Sequence, residues 1–137
     1  MQIWLILIVL SGFSLIISGC SRDKTVTTKS GIKYTDLIEG SGTSADYGKT
    51  IIVNYIGTLP DGSEFDNTYK NGKTLEFKIG SNFYIKGLSE GVIGMKTGGK
   101  RNIIIPPELG YGADGAGSVV PGNSFLIFEV ELVEVKY

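Results

Sequence analysis

A hairpin pattern in residues 54–66 constrains the fold more than any other feature of this chain. A β-branched run at residues 51–53 precedes it and is typical of a strand that enters a core. Leu-Pro-Asp-Gly follows at residues 59–62, where Pro60 presets φ for a turn and Gly62 accepts a positive φ. The chain is therefore predicted to reverse direction there and to form two antiparallel strands.

The predicted hairpin places Tyr55 on one arm and Phe65 and Asp66 on the other. Taken alone, these residue types are more often a packed Tyr, a packed Phe and a solvated Asp, because aromatic residues in strands usually form core contacts. The alternative is that two aromatic rings and one carboxylate lie beside the same cavity. The rest of the chain decides between the two interpretations.

Composition excludes several classes of site. The chain has 137 residues and is 42% hydrophobic, which suits one domain with a short additional piece. Its formal net charge is −1, and the charges are interspersed, so no nucleic-acid-binding surface is indicated. The sequence lacks His and has one Cys, which excludes a Ser-His-Asp triad, His-ligated metals and an internal disulfide. No metal or cofactor is expected.

The first 20 residues are uncharged and almost wholly apolar. The apolar run at residues 3–17 is short for a membrane span. It ends in Ile-Ser-Gly-Cys at residues 17–20, which resembles the lipobox of bacterial lipoprotein signal peptides. The resemblance implies that residues 1–19 are removed and that the Cys20 thiol receives diacylglycerol, with two or more acyl chains anchoring the protein.

Residues 1–3 depart from that pattern. A secretory signal normally begins with a positively charged segment, and these residues include no Lys or Arg. Two alternatives to a lipoprotein signal are therefore open. The segment is an uncleaved signal anchor, or Cys20 serves only as an apolar residue. The single Cys at the one position that a lipobox requires favours the lipoprotein. Residues 20–30 are then predicted to be the lipidated Cys and a flexible polar tether, with the protein in the bacterial cell envelope, facing the periplasm or the exterior.

Residues 31–137 are predicted to form the globular domain. Strands are predicted at residues 32–38, 49–58, 74–79, 101–105 and 125–135. In the last of these, Phe125, Ile127 and the aliphatic residues of the 130s are predicted to alternate against Glu129, Glu131 and Glu134. Residues 85–94 form the only predicted helix, which has poor intrinsic propensity because of its glycines and must be buried on a sheet to exist. The predicted fold class is α+β, a curved antiparallel sheet wrapped around one short α-helix, whose concave mouth would suit a ligand.

Residues 108–124 form a long glycine-rich segment. The G-x-G-x-x-G pattern at residues 110–115 is not a dinucleotide site, because no helix follows it. A long loop is predicted instead, carrying Tyr111 and the apolar pair Val119-Val120. Loops of this length are usually functional.

Several blocks of residues 31–137 together resemble the FK506-binding-protein (FKBP) family of peptidyl-prolyl cis-trans isomerases. The blocks are Tyr55-x-Gly-x-Leu-x-Asp-Gly-x-x-Phe-Asp, Gly87-x-x-Glu-Gly, Met95-x-x-Gly, Ile105-Pro-Pro-Glu-Leu-Gly-Tyr-Gly and Phe128-x-Val-Glu-Leu. They agree with the family in order and spacing.

The resemblance implies an apolar cup that holds a proline ring. Its catalytic set would be Tyr55, Phe65, Asp66, Tyr111 and Phe128. Its substrate-binding set would be Phe77, Tyr84, Ile85, Leu88 and Val119. In this assignment Tyr84 and the Ile85 backbone N–H lie at the rim, the Tyr111 hydroxyl meets a carbonyl, and Val119 closes the top.

Two positions depart from the family pattern. Leu88 stands at the pocket floor, where Trp is frequent, and Leu75 stands where many members have Phe. Both changes make the implied cup less aromatic. They leave open a second function, a non-catalytic module that binds proline-containing segments.

The implied activity is isomerisation of X-Pro bonds in exported proteins by a membrane-tethered enzyme. Expected partners are proline-containing polypeptides, FK506-like macrolides and, through the lipid, a membrane. No nucleic acid is expected, and the protein is expected to be a monomer.

Overall fold

A computed structural model describes residues 24–82 and 84–137. The predicted signal peptide at residues 1–19 and the predicted lipidation site Cys20 lie outside the described residues. Within the described part, no helix is both long and apolar enough to span a bilayer.

The fold is one antiparallel sheet with short helical segments, which confirms the predicted α+β class. The strands are β1 (Thr25–Thr27), β2 (Lys33–Ile38), β3 (Thr50–Thr58), β4 (Glu64–Asn67), β5 (Leu75–Lys78), β6 (Lys100–Ile105) and β7 (Leu126–Lys136). The helices are α1 (Thr68–Asn71), α2 (Lys86–Gly91) and a 3₁₀ turn at Pro107–Leu109. The strand order is β1-β2-β6-β7-β3-β4, and β5 also pairs with β3.

The sheet is centred on β3 and β7, which pair along the whole length of β3 from Thr50↔Lys136 to Thr58↔Ile127. Alternate residues of β3 are buried, including Ile51, Val53 and Tyr55. Because side chains alternate across a strand, this places Tyr55 on the same face as the core. The hairpin from β3 to β4 also forms as predicted, with the Gly62 N–H donating to the Leu59 carbonyl at 2.9 Å.

The glycines of α2 explain how a poor helix former becomes a helix here. A Cβ on Gly87 would lie 2.2 Å from Ile105 Cγ2, and one on Gly91 would lie 2.6 Å from Ile103 Cγ2. Both glycines therefore let α2 lie directly on β6. Leu88 on α2 is completely buried. Packing against the sheet therefore stabilises this helix despite its low intrinsic helix propensity.

The predicted helix was too long. It ends at Gly91 rather than residue 94, and Gly94 adopts a left-handed conformation with φ of 85°. A second helix, α1, is a single turn that the sequence pattern did not predict. Asn67 caps it, its side chain accepting from the Tyr69 and Lys70 backbone N–H groups, and Gly72 ends it with a left-handed φ of 66°.

The prediction of a flexible tether through residue 30 is wrong for its C-terminal part. Thr25–Thr27 forms strand β1, which pairs antiparallel with β2. The Thr28 N–H donates to the Ile32 carbonyl at 2.8 Å and closes a hairpin between the two strands. An edge strand is held by backbone hydrogen bonds and needs no apolar face, so the polar sequence did not indicate it.

The predicted phase of the last strand is wrong at its start, for Phe125 and Ile127. Leu126, Phe128, Val130 and Leu132 point into the core, whereas Phe125 is half exposed and precedes the strand. Ile127 shares the outer face with the glutamates. The register shifts opposite Ile52 and Val53, so that Val133 and Glu134 are both exposed and Val135 is buried again.

Candidate active site

Three aromatic rings from three neighbouring strands form the centre of the site. The Tyr55 and Phe128 centroids are 5.3 Å apart, and those of Phe65 and Phe128 are 5.5 Å apart, both in edge-on arrangements. These geometries are the ones aromatic pairs prefer. Tyr55 and Phe128 are almost completely buried, while Phe65 is partly exposed.

Gly57 makes the position of Phe65 possible. It lies on β3 opposite both Asp66 and Phe128. A Cβ on Gly57 would come within 2.6 Å of Phe65 Cζ. The Phe65 ring therefore lies across β3 at a place where only glycine leaves room.

A chain of hydrogen bonds runs beside the rings. The Tyr55 hydroxyl donates to Asp66 Oδ2, and the Tyr84 hydroxyl lies 3.0 Å from the Tyr55 hydroxyl oxygen. Because the Tyr55 proton is directed to Asp66, Tyr84 is the donor of the second bond. Asp66 Oδ1 accepts from the Asn67 N–H at 2.9 Å and from Asn71 Nδ2 at 3.1 Å. The carboxylate is thus fixed by three donors.

Both tyrosine hydroxyls remain neutral donors over the physiological pH range. Burial raises the pKa of Tyr55, and its hydrogen bond to the Asp66 carboxylate raises it further. Burial also raises the pKa of Tyr84, and its hydrogen bond to Tyr55 raises it further. Neither side chain supplies a negative charge to the site.

An open cleft of about 420 Å³ lies beside this cluster. It is lined by Asn82, Tyr84, Ile85, Lys86, Glu108, Leu109, Gly110 and Tyr111. The ring centroids of Phe65 and Tyr111 are 6.4 Å apart, so Tyr111 joins the cleft to the aromatic cluster. Tyr55 and Phe128 lie behind the cleft and do not line it.

Comparison with known proteins was decisive for the family. Residues 42–133 match a domain model described as FKBP-type peptidyl-prolyl cis-trans isomerase. The chain belongs to this family. It is 49% identical over 105 residues to the FK506-binding protein of Neisseria meningitidis serogroup B, an alignment that covers 77% of this chain and 96% of that protein.

Further similarities agree with this assignment. The chain is 44% identical over 117 residues to the FKBP-type isomerase FkpA of Escherichia coli, which covers 85% of this chain and 42% of FkpA. It superimposes on the crystal structure of FkpA with a TM-score of 0.75 and 43% identity, covering 82% of this chain and 51% of that one. The crystal structure of AtFKBP13 gives a TM-score of 0.77 and 36% identity, with 82% and 99% covered. The chain is therefore an isomerase of the FKBP type.

The structure brings together most of the residues assigned to this FKBP site. Ring pairs connect Tyr55, Phe65, Tyr84, Tyr111 and Phe128. Asp66 joins them through Tyr55. Ile85 precedes α2 in an extended conformation and lines the cleft.

Three assigned residues do not line the cleft. Phe77 is buried in β5 opposite Ile51, and Leu88 is completely buried in α2. Val119 is 57% exposed and does not line the cleft, whereas its neighbour Val120 belongs to the core. The roles of these three residues in binding stay predictions.

Two contacts of the site leave no pattern in the sequence. One is the bond from the Tyr84 hydroxyl to Tyr55, and the other is the bond from Asn71 to Asp66. The Asn-Gly pair at residues 71 and 72 indicated a turn, but no pattern linked it to a carboxylate five positions earlier. Lys86 and Glu108, which line the cleft with opposite charges, were also missed.

Proposed function

We propose that this isomerase acts on exported polypeptides and rotates their X-Pro bonds within the pocket formed by Tyr55, Phe65 and Phe128. One observation carries the proposal: an edge-packed aromatic cluster lies directly behind an open cleft of about 420 Å³. Phe65 is the partly exposed ring of this cluster, and it lies beside Tyr111, which lines the cleft. A proline ring that crossed the cleft would contact aromatic surface and leave water.

Rotation of a prolyl bond needs no nucleophile. The barrier is about 18–20 kcal/mol, because resonance gives the C–N bond double-bond character. Twisting the amide localises the nitrogen lone pair and reduces charge separation, so the twisted state is less polar than the planar one. A dry aromatic pocket therefore favours it relative to water. A 10⁴-fold acceleration would require about 5.5 kcal/mol of such preference.

The polar groups have separate roles in this mechanism. Tyr111 lines the cleft. Its hydroxyl would donate a hydrogen bond to a substrate carbonyl. Asp66 is engaged by three donors from the protein. Its role is therefore to hold Tyr55 in place, and it does not act as a base.

Measurement of kcat/KM on a peptide with one X-Pro bond tests the activity, and proline-limited refolding of an unfolded protein tests the substrate class. The protein used should begin at Ser21, because β1 belongs to the sheet. We expect acceleration in both assays. Stable binding of the peptide without acceleration would favour the non-catalytic module, and acceleration of peptides alone would argue against a role in folding.

The lipobox-like residues 17–20 support a further part of this proposal, a lipid anchor on Cys20 in the cell envelope. Strand β1 begins at Thr25, five residues after Cys20. At no more than about 3.6 Å per residue, that connection spans at most roughly 18 Å. The domain would consequently lie close to the bilayer. A flexible tether that reached residue 30 would allow a larger distance between the two.

Radiolabelled palmitate incorporation tests the anchor. Wild-type protein should be labelled, and Cys20→Ala should remain as an unlabelled precursor. Mass spectrometry of mature wild-type protein should show diacylglycerol on an N-terminal Cys20. Retention of Met1 without acyl mass would overturn this part of the proposal and leave the isomerase activity untouched.

A further inference from the structure

Tyr84 lies between the open cleft and the aromatic cluster. One side of it lines the cleft, together with Ile85 and Tyr111. On its other side, its ring centroid is 6.2 Å from that of Tyr55, with the planes tilted by 45°. Tyr55 on that side is only 3% exposed, and Phe128, which packs against Tyr55, is 0% exposed. In this arrangement the deep rings cannot contact a ligand that stays in the cleft.

A hydrogen bond holds Tyr84 in that position. Its hydroxyl is 3.0 Å from the Tyr55 oxygen, and Tyr55 is itself held by Asp66. A partly buried tyrosine needs such a partner for its hydroxyl. The bond joins residues 29 positions apart, so it ties the segment before α2 to the centre of the sheet.

We propose that Tyr84 sets the affinity of this isomerase for its ligands: its side chain covers Tyr55 at the edge of the aromatic pocket, and a ligand gains the pocket only when the Tyr84–Tyr55 hydrogen bond breaks and Tyr84 moves toward the cleft. The inference rests on the proposed prolyl pocket. The uncovered state is the binding-competent one, and apparent affinity falls in proportion to its population.

The strength of one neutral hydrogen bond sets the size of the effect. Removing it should favour the uncovered state and tighten binding by roughly 2- to 12-fold. The gain should appear in KM, because the bond is absent once substrate is bound, and kcat should change little. A residue that only supports the fold would not produce this division between KM and kcat.

Tyr84→Phe is the direct test, because it keeps the ring and removes only the hydroxyl. Tyr55 keeps its bond to Asp66 in this variant, so the fold should survive, and a melting curve checks that. Tyr69→Phe is the matched control. The Tyr69 hydroxyl donates to Glu131 at 2.7 Å on the exposed surface, outside the cleft.

The probes are a tetrapeptide with a single X-Pro bond, followed by isomerisation kinetics, and FK506, followed by titration calorimetry. We expect Tyr84→Phe to lower KM and the FK506 Kd by roughly 2- to 12-fold, with kcat within about twofold, and Tyr69→Phe to match wild type. If wild type does not catalyse isomerisation, the proposed function fails while calorimetry still tests Tyr84. A Tyr84→Phe protein that binds neither probe more tightly overturns the inference, and weaker binding would instead make the hydroxyl a ligand contact.

Discussion

The two sides of the pocket are built in different ways. Tyr55, Phe65 and Phe128 come from three strands held in register by the β-ladder. Tyr84, Ile85 and Tyr111 come from the segments that precede α2 and follow β6, and they border the open cleft. In the proposed function the strand side combines catalysis with core stability, since the same rings would serve both. The cleft side borders open space and, apart from the buried Ile85, contributes less to the core.

The largest expected effect is on the strand side. Phe128→Ala deletes a completely buried ring that contacts both Tyr55 and Phe65. We expect a loss of about 3–5 kcal/mol in the free energy of unfolding, measured by urea denaturation. Phe125→Ala is the matched control, because that ring is 50% exposed, and it should lose about 1 kcal/mol or less. Similar losses for both variants would contradict the inward orientation of Phe128.

The next effect concerns how α2 is seated. Gly87→Ala would place a methyl group 2.2 Å from Ile105 Cγ2 in the present arrangement. Although Ala favours helices, we expect a loss of about 1–3 kcal/mol from overpacking, with weaker binding because Ile85 moves with the helix. Glu90→Ala on the exposed face of α2 is the control; it loses one exposed hydrogen bond from Ser30 and should change stability by about 1 kcal/mol or less. A more stable Gly87→Ala protein would show that α2 does not lie this close to β6.

The same contrast explains what could be predicted from the sequence. Alternation located the central strands, and spacing of Ile85, Leu88 and Val92 located the buried face of α2, because burial leaves a periodic trace. The aromatic residues of the strand side were assigned to the site from the resemblance to the FKBP family. Their mutual contacts then followed from the ladder register, as for Gly57 opposite Phe128.

Features without a periodic trace were missed. Strand β1 is exposed and polar, so its sequence was indistinguishable from a tether. The phase of β7 was misassigned because the choice between Phe125 and Leu126 depends on where the strand begins. The covering position of Tyr84 depends on a loop conformation and on a partner 29 residues away, and local sequence carries neither.

On the cleft side, activity should fall without loss of stability. Tyr111→Ala removes the proposed carbonyl donor and a ring beside Phe65. We expect a cost of about 1–2 kcal/mol in transition-state free energy, or roughly 5- to 30-fold in kcat/KM.

On the strand side, Phe65→Ala should reduce kcat/KM to a similar extent. Because Phe65 is only partly buried, this variant should be destabilised less than Phe128→Ala. If the Tyr111→Ala and Phe65→Ala variants both fold and isomerise an X-Pro peptide as fast as wild type, the pocket is misassigned.

The smallest expected effect on binding is at Leu88, which was predicted to form the pocket floor. Proline is small and can be desolvated by the remaining rings, so catalysis on small peptides should persist with leucine there. A macrolide has more surface to cover, and Leu88→Trp should tighten its binding by about 0.5–1.5 kcal/mol if the indole stacks as aromatic pairs do. Because Leu88 is completely buried, the larger ring should also cost about 1–3 kcal/mol of stability through overpacking. Titration calorimetry with FK506, accompanied by melting curves, separates the two effects. A stably folded Leu88→Trp protein with unchanged or weaker macrolide affinity would show that Leu88 does not form the floor, and would leave Tyr84 as the residue on the helix side that sets what the pocket admits.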